Sequence, residues 1–356
     1  MVSPSPLVNL PATLTWANDQ LRILDQTRLP QEAVVETLTS AHEVWRAIHE
    51  LRVRGAPAIG VAAAYGLCVA VQASRHLPLD AFRAALAEQA AYLDSARPTA
   101  VNLSWSLKRM LRAAECAGAT DTASLYHTLV DEAQAIHRED QRLCAGIGQH
   151  GAPLIREGSG VLTHCNAGAL ATTGIGTATA PIYEAQRNGV AFRVYADETR
   201  PLLQGARLTA YELQRAGVDV TLVTDSMAAS LMARGQIDVV IVGTDRVAAN
   251  GDFANKIGTL NLAIVARYFG VDFYVACPSS TLDLDTPDGR GIVIEERGAS
   301  EVTHLGGRMI APEGIKVFNP AFDVTPHDLV TGYITEAGII GSPYEANLAA
   351  RFGRAA

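Results

Sequence analysis

The chain has 356 residues, 48% of them hydrophobic and 19% charged, with a formal net charge of −8. That composition excludes a disordered chain, and an acidic balance without any Lys/Arg run lacks the electrostatic footprint of a nucleic-acid binder. The length predicts two domains of unequal size.

The amino end, "MVSPSPLVNL", has neither a basic start nor a long apolar core, so no signal peptide is expected. In "TLTWANDQLRILDQTRLP", apolar and polar residues alternate around Asn18-Asp19, which predicts a β-hairpin followed by a proline stop. Helical spacing then runs over 41–53, 56–74, 80–95, 102–116 and 122–145, with Pro57, Pro78 and Pro98 at breaks or first turns. The most apolar window, "APAIGVAAAYGLCVAV", falls short of the roughly 20 residues a bilayer requires. A buried helix is expected there, with no membrane partner. Residues 1–130 thus read as a small, mainly helical N-terminal domain carrying a short hairpin.

After Gly160 the rhythm changes. Short apolar runs, "GVLTHC", "FRVYADE", "DVTLVTD", "DVVIVGTD" and "DFYVACP", alternate with helical stretches over 203–216, 226–234 and 257–269. Strands buried on both faces and separated by helices predict βαβ units in a parallel sheet. The expected fold class is therefore α/β, with a Rossmann-like domain over 131–356.

Each run ends in a residue capable of chemistry: Cys165, Asp197 with Glu198, Asp225, Asp245, and Cys277. Ligands of open α/β sheets bind beyond the carboxyl ends of the strands, so these side chains are expected to converge. Gly168, Gly174 and Gly176 are expected to admit a ligand to the backbone and to leave amide donors free for an anion. The five cysteines contain no close pair, which reads as reduced thiols in a cytoplasmic protein.

Cys165 has a competing reading as a buried structural thiol, free cysteine being among the most buried residue types. Its place at a strand end entering a glycine-rich turn favours chemistry. His164 is not its expected partner, because adjacent strand residues point to opposite faces. Asp245 reads either as a turn carboxylate or, partly desolvated at the end of an apolar strand, as a general acid with a raised pKa. Asn255 and Lys256, placed before a helix over 257–269, suit a phosphate. Asp197, Glu198 and Arg200 read equally as a solvated ion-paired loop or as part of the site; Gln204 and Arg207 add polar reach. Arg54 and Gly55 stand ahead of a proline-initiated helix, again a place for an anion, and Arg97 is a second arginine of the first domain. There is no GxGxxG, no Walker loop and no zinc-spaced Cys/His set, so neither a cofactor nor a metal is expected.

The segments "VRGAPAIG", "RPTAVNLSW", "THCNAGALAT", "YADETRPLLQGARLTAYEL", "DSMAA", "VGTDRVAANGDFANKIGTLNLA" and "FDVTPHDLVTGYITEAGII" occur in one order over nearly the full length. In this the chain resembles the methylthioribose-1-phosphate isomerase family of methionine salvage. The resemblance implies an aldose–ketose isomerase of 5-methylthioribose 1-phosphate, with Cys165 and Asp245 catalytic. It places substrate contacts at Arg54, Gly55, Ala56, Arg97, Gln204, Asn255 and Lys256, and it implies a homodimer. The wider superfamily also contains ribose-1,5-bisphosphate isomerase and non-catalytic regulatory subunits of a translation-initiation exchange factor. An isomerase of 5-deoxyribose 1-phosphate is a further alternative.

Overall fold

The computed structural model describes residues 10–97 and 101–353. The signal-peptide reading of residues 1–9 and the break at Pro98 lie outside them. The described chain divides into two compact units, one of Leu10–Cys144 with Gly168–Gly176, the other of Ala145–Ala167 with the chain from Thr177 onward.

In the first unit, β1 (Leu14–Ala17) and β2 (Gln20–Leu24) form the expected hairpin. Asn18 and Asp19 both take positive φ, +53° and +56°, which is the turn geometry that matches strand twist in a two-residue loop. A third strand that the sequence pattern did not suggest, β3 (Val35–Leu38), pairs antiparallel with β2. Helices α1 (Ala41–His49), α2 (Ala56–Val71), α3 (Leu79–Asp94), α4 (Val101–Cys116) and α5 (Thr122–Gly151) follow. The units divide at Cys144, inside α5, and not at the expected residue 130.

The segment Ala56–Ser74 is long and apolar enough to cross a membrane, and 72% of its most apolar window is buried. Its small residues explain that burial. A Cβ on Gly60 would lie 3.0 Å from the Asn102 carbonyl of α4, and one on Gly66 would lie 2.4 Å from Val44 Cγ1 of α1. The core forms around α2, with Ile59, Leu67, Phe82, Leu103 and Leu129 all essentially inaccessible.

The second unit is built on a seven-stranded sheet. Its members are β4 (Gly160–Thr163), β5 (Arg193–Asp197), β6 (Val220–Val223), β7 (Val239–Val242), β10 (Asp272–Ala276), β15 (Gly332–Thr335) and β16 (Gly338–Ile340). The order is β16-β15-β10-β7-β4-β5-β6, parallel throughout except for the antiparallel edge strand β16. All five runs read as strands are therefore neighbours in one sheet. Helices α6 (Ala180–Arg187), α7 (Ala210–Arg215), α8 (Ala228–Ala233) and α9 (Thr259–Phe269) connect them, and α7 is preceded by a π-helical turn, Gly205–Thr209.

A second, four-stranded sheet was not foreseen: β8 (Arg246–Ala248), β9 (Phe253–Lys256), β11 (Leu282–Asp283) and β14 (Phe322–Thr325), ordered β11-β8-β9-β14. A short helix α10 (Ser300–Thr303), a ladder of β12 (His304–Leu305) and β13 (Arg308–Met309), and α11 (Tyr344–Phe352) complete the unit.

Candidate active site

Cys165 stands two residues beyond β4 in a left-handed conformation, φ +64°, and is 9% exposed. Such a φ is uncommon for a residue with a Cβ and costs on the order of 1–3 kcal/mol, so its surroundings must impose it. They do so from both sides of the peptide. The Cys165 N–H donates to Thr199 Oγ1 at 2.8 Å, and Thr209 Oγ1 donates to the Cys165 carbonyl at 2.5 Å. Asn166 Nδ2 in turn donates to Thr209 Oγ1 at 3.2 Å.

Thr199 is itself left-handed, φ +64°, in the turn that follows β5. Asp225, at the end of β6, holds that turn: its two carboxylate oxygens accept the N–H groups of Thr199 (2.7 Å) and Arg200 (2.8 Å). The "DETRP" segment is thus no solvated loop. Asp197 is 1% exposed, and its Oδ2 lies 3.0 Å from His164 Nδ1, while His164 Nε2 lies 2.9 Å from the Ile257 carbonyl. Both ring nitrogens of His164 are engaged away from Cys165, as the opposed strand faces require.

Burial opposes charge on the imidazole, but the Asp197 carboxylate and the Ile257 carbonyl outweigh it and raise the pKa of His164. The pKa of Asp197 is raised by desolvation. Ligand atoms of His164, Asp197 and Asp225 lie within 4.8 Å of one another, a spacing able to hold a metal ion. The donors are largely committed within the protein, however, since His164 meets Asp197 directly and both Asp225 oxygens accept backbone N–H groups.

Asp245 leaves the adjacent strand. β7 pairs with β4, and a Cβ on Gly243 would lie 2.4 Å from Ala167 Cβ, so in the exits carrying Asp245 and Cys165 the Ala167 methyl packs on the Gly243 backbone. Asp245 is half-buried, and its N–H donates to the Ala254 carbonyl at 2.9 Å, which joins it to β9. Asn255 and Lys256 precede the helix, as expected from the sequence, but lie in β9 itself, 5% and 6% exposed. The helix begins only at Thr259, after Gly258 with φ +101°. Asn255 Nδ2 donates to Thr259 Oγ1 (3.0 Å). Lys256 Nζ donates to the Ala321 carbonyl (2.7 Å) and lies 4.5 Å above the Phe322 ring.

Gln204, 5% exposed, precedes the π-helical turn, and its Oε1 has no hydrogen-bond partner among the described residues. Cys277 does not join the group: it is fully buried, and burial pushes its thiol up. Thr199, Thr209 and Asp323 are positioning groups that the sequence reading passed over, although all three lie inside quoted motifs.

In the helical unit, Gly55 caps α2 with φ +90° beside half-buried Arg54, Ala56 opens the helix, and Pro57 lies in its first turn. Half-buried Arg97 lies beyond α3. The glycine-rich segment 168–176 belongs here, and Gly174 in it, like Gly55 against it, serves packing. A Cβ on Gly55 would lie 2.4 Å from the Ala171 carbonyl, and one on Gly174 would lie 2.9 Å from Cys144 Cβ. The N–H groups of Gly174 and Gly176 are not free for an anion, because they donate to Thr172 Oγ1 at 3.2 and 3.1 Å.

Residues 52–342 match the model of the initiation factor 2 subunit family. The chain belongs to that family. The chain is 54% identical to 5-deoxyribose 1-phosphate isomerase of Moorella thermoacetica, over 95% of this chain and 96% of that one. It is equally 54% identical to methylthioribose-1-phosphate isomerase of Chloroflexus aurantiacus, over 94% and 97%. The fold matches the crystal structure of 5-methylthioribose 1-phosphate isomerase from Pyrococcus horikoshii with TM-score 0.92 at 41% identity, covering 98% of each chain. It also matches the delta subunit of translation initiation factor eIF-2B from A. fulgidus with TM-score 0.88 at 41% identity, covering 96% and 99%.

Proposed function

We propose that the protein is an aldose–ketose isomerase that converts 5-methylthioribose 1-phosphate to 5-methylthioribulose 1-phosphate, a step of methionine salvage. The broader statement, that it is a sugar-phosphate isomerase, rests on two relatives of that kind at 54% identity over nearly the whole chain. The observation that carries the specific mechanism is the pairing of β4 with β7. It brings a strained thiol-bearing turn and a carboxyl-bearing turn out at the same end of two adjacent strands.

The substrate carries its phosphate on the anomeric oxygen, so the sugar ring cannot open spontaneously to an aldehyde. In the proposed mechanism Asp245 donates its proton to the ring oxygen, which leaves C1 as a hydroxyl. The Cys165 thiolate removes the C2 proton, giving an enol phosphate. Return of that proton to C1, with loss of the C2 hydroxyl proton to the Asp245 carboxylate, forms the ketone and restores both groups. Lys256, Asn255 and Gln204 are the proposed substrate contacts of the sheet unit. Arg54, Gly55, Ala56 and Arg97 keep the phosphate-binding role that the resemblance implies. A cytoplasmic homodimer is the proposed form of the enzyme.

Turnover assays on purified protein with the 5-methylthio and 5-deoxy sugars test this reading. Both sugars are expected to react, with the methylthio sugar preferred by no more than about 200-fold, because an apolar pocket discriminates such substituents weakly. Turnover of the deoxy sugar alone would replace the proposed substrate. Turnover of neither would favour a regulatory subunit.

A further inference from the structure

A carbonyl oxygen can only accept a hydrogen bond, so His164 Nε2, 2.9 Å from the Ile257 carbonyl, carries a hydrogen. The contact of His164 Nδ1 with Asp197 Oδ2 at 3.0 Å needs a second hydrogen, whichever atom holds it. The ring thus makes two directed bonds at once, and each ends on a segment with its own part in the site. Asp197 opens the turn whose Thr199 hydroxyl accepts the Cys165 N–H. Ile257 follows Asn255 and Lys256 directly.

The ring has little room to move. Gly258 packs against it so closely that a Cβ there would lie 3.0 Å from His164 Cε1 and 3.1 Å from Nε2. Asp323 fixes the Gly258 loop, accepting the N–H groups of Gly258 (2.8 Å) and Leu260 (3.1 Å). The ring is 2% exposed, so water does not compete for either bond.

We propose that His164 is a positioning residue, a two-ended clamp that holds the Cys165 turn in register with the Asn255–Lys256 strand. The clamp deepens the isomerase reading and rests on it. Neither ring nitrogen faces substrate; the ring acts through the segments it joins. Losing either bond lets the thiol turn and the Asn255–Lys256 strand shift relative to each other. A misplacement of about 1 Å at such a site costs on the order of 100-fold in rate.

The test uses His164→Gln, which offers one polar end at a time, and Asp197→Asn, which keeps the ring but weakens its Nδ1 bond. At a temperature where melting curves show both variants folded, kcat is expected to fall at least tenfold in each and KM to rise in His164→Gln. In wild-type protein, NMR should show two slowly exchanging protons far downfield, one on His164 Nε2 and one held between Nδ1 and Asp197. Variants that melt earlier but keep wild-type kcat and KM would reduce His164 to a structural role and overturn the clamp. Should neither variant fold, wild-type spectra showing no hydrogen between His164 Nδ1 and Asp197 would overturn it as well. Inactivity of the wild-type protein on both sugars would count against the isomerase reading alone, leaving the NMR result to stand for the clamp.

Discussion

Cys165→Ser and Asp245→Asn are each expected to lower turnover of the proposed substrate, 5-methylthioribose 1-phosphate, by about 10²–10⁴-fold while leaving the melting temperature close to that of the wild type. The size of the loss is that of a proton-transfer group acting on the reacting atoms. The preserved stability follows from the geometry. Serine differs from cysteine in one atom, and the substitution keeps the backbone N–H and carbonyl bonds that hold φ +64° at residue 165. The Asp245→Asn variant likewise keeps the backbone N–H bond to the Ala254 carbonyl that begins the second sheet. Activity assays paired with thermal melts check both halves of this expectation. Near-normal turnover in either variant removes that residue from the mechanism.

The largest expected effect on stability belongs to Gly205→Ala. A Cβ there would lie 1.6 Å from the Asp197 carbonyl oxygen and 2.8 Å from its carbonyl carbon, both backbone atoms that cannot rotate away. The turn after β5 and the first residue of the π-helical turn must therefore separate, which releases Thr199 from the Cys165 N–H and Thr209 from the Cys165 carbonyl. Forced overpacking of this kind costs about 3 kcal/mol or more, and activity is expected to fall with it. Gly118→Ala is the control. That glycine has φ +56° but nothing within 4 Å of the added Cβ, so only the backbone strain of about 1–2 kcal/mol remains. Equal melting temperatures for the two variants would contradict the packing argument.

What the sequence reveals and what it hides divide along the range of the interactions. The Asn18-Asp19 hairpin, the helices and the five parallel strands are legible because each is fixed by local pattern: a turn pair, a helical period, or an apolar run. β9 is hidden because its four residues include Asn and Lys, poor strand formers, and because one of its two neighbours, β14, lies more than 60 residues away. Asn255 and Lys256 therefore read only as the approach to a helix, when they also lie buried in a strand. The glycine-rich segment misleads in another way. Composition shows that side chains are missing there but not what fills the space, and at Gly174 the neighbour is Cys144 of α5. His164 shows the same limit, since its partners are 33 and 93 residues distant. Cys165 and Asp245, by contrast, could be nominated from sequence because both stand where apolar strands end.

The central claim is that this thiol and this carboxyl act on one sugar. A crystal structure of Cys165→Ser with 5-methylthioribose 1-phosphate bound tests it most directly. The Asp245 carboxyl should lie about 2.6–3.2 Å from the ring oxygen, with residue 165 facing the C1–C2 bond and the phosphate near Lys256. A sugar bound with its ring oxygen turned away from Asp245, or with residue 165 out of reach of C2, would contradict the account.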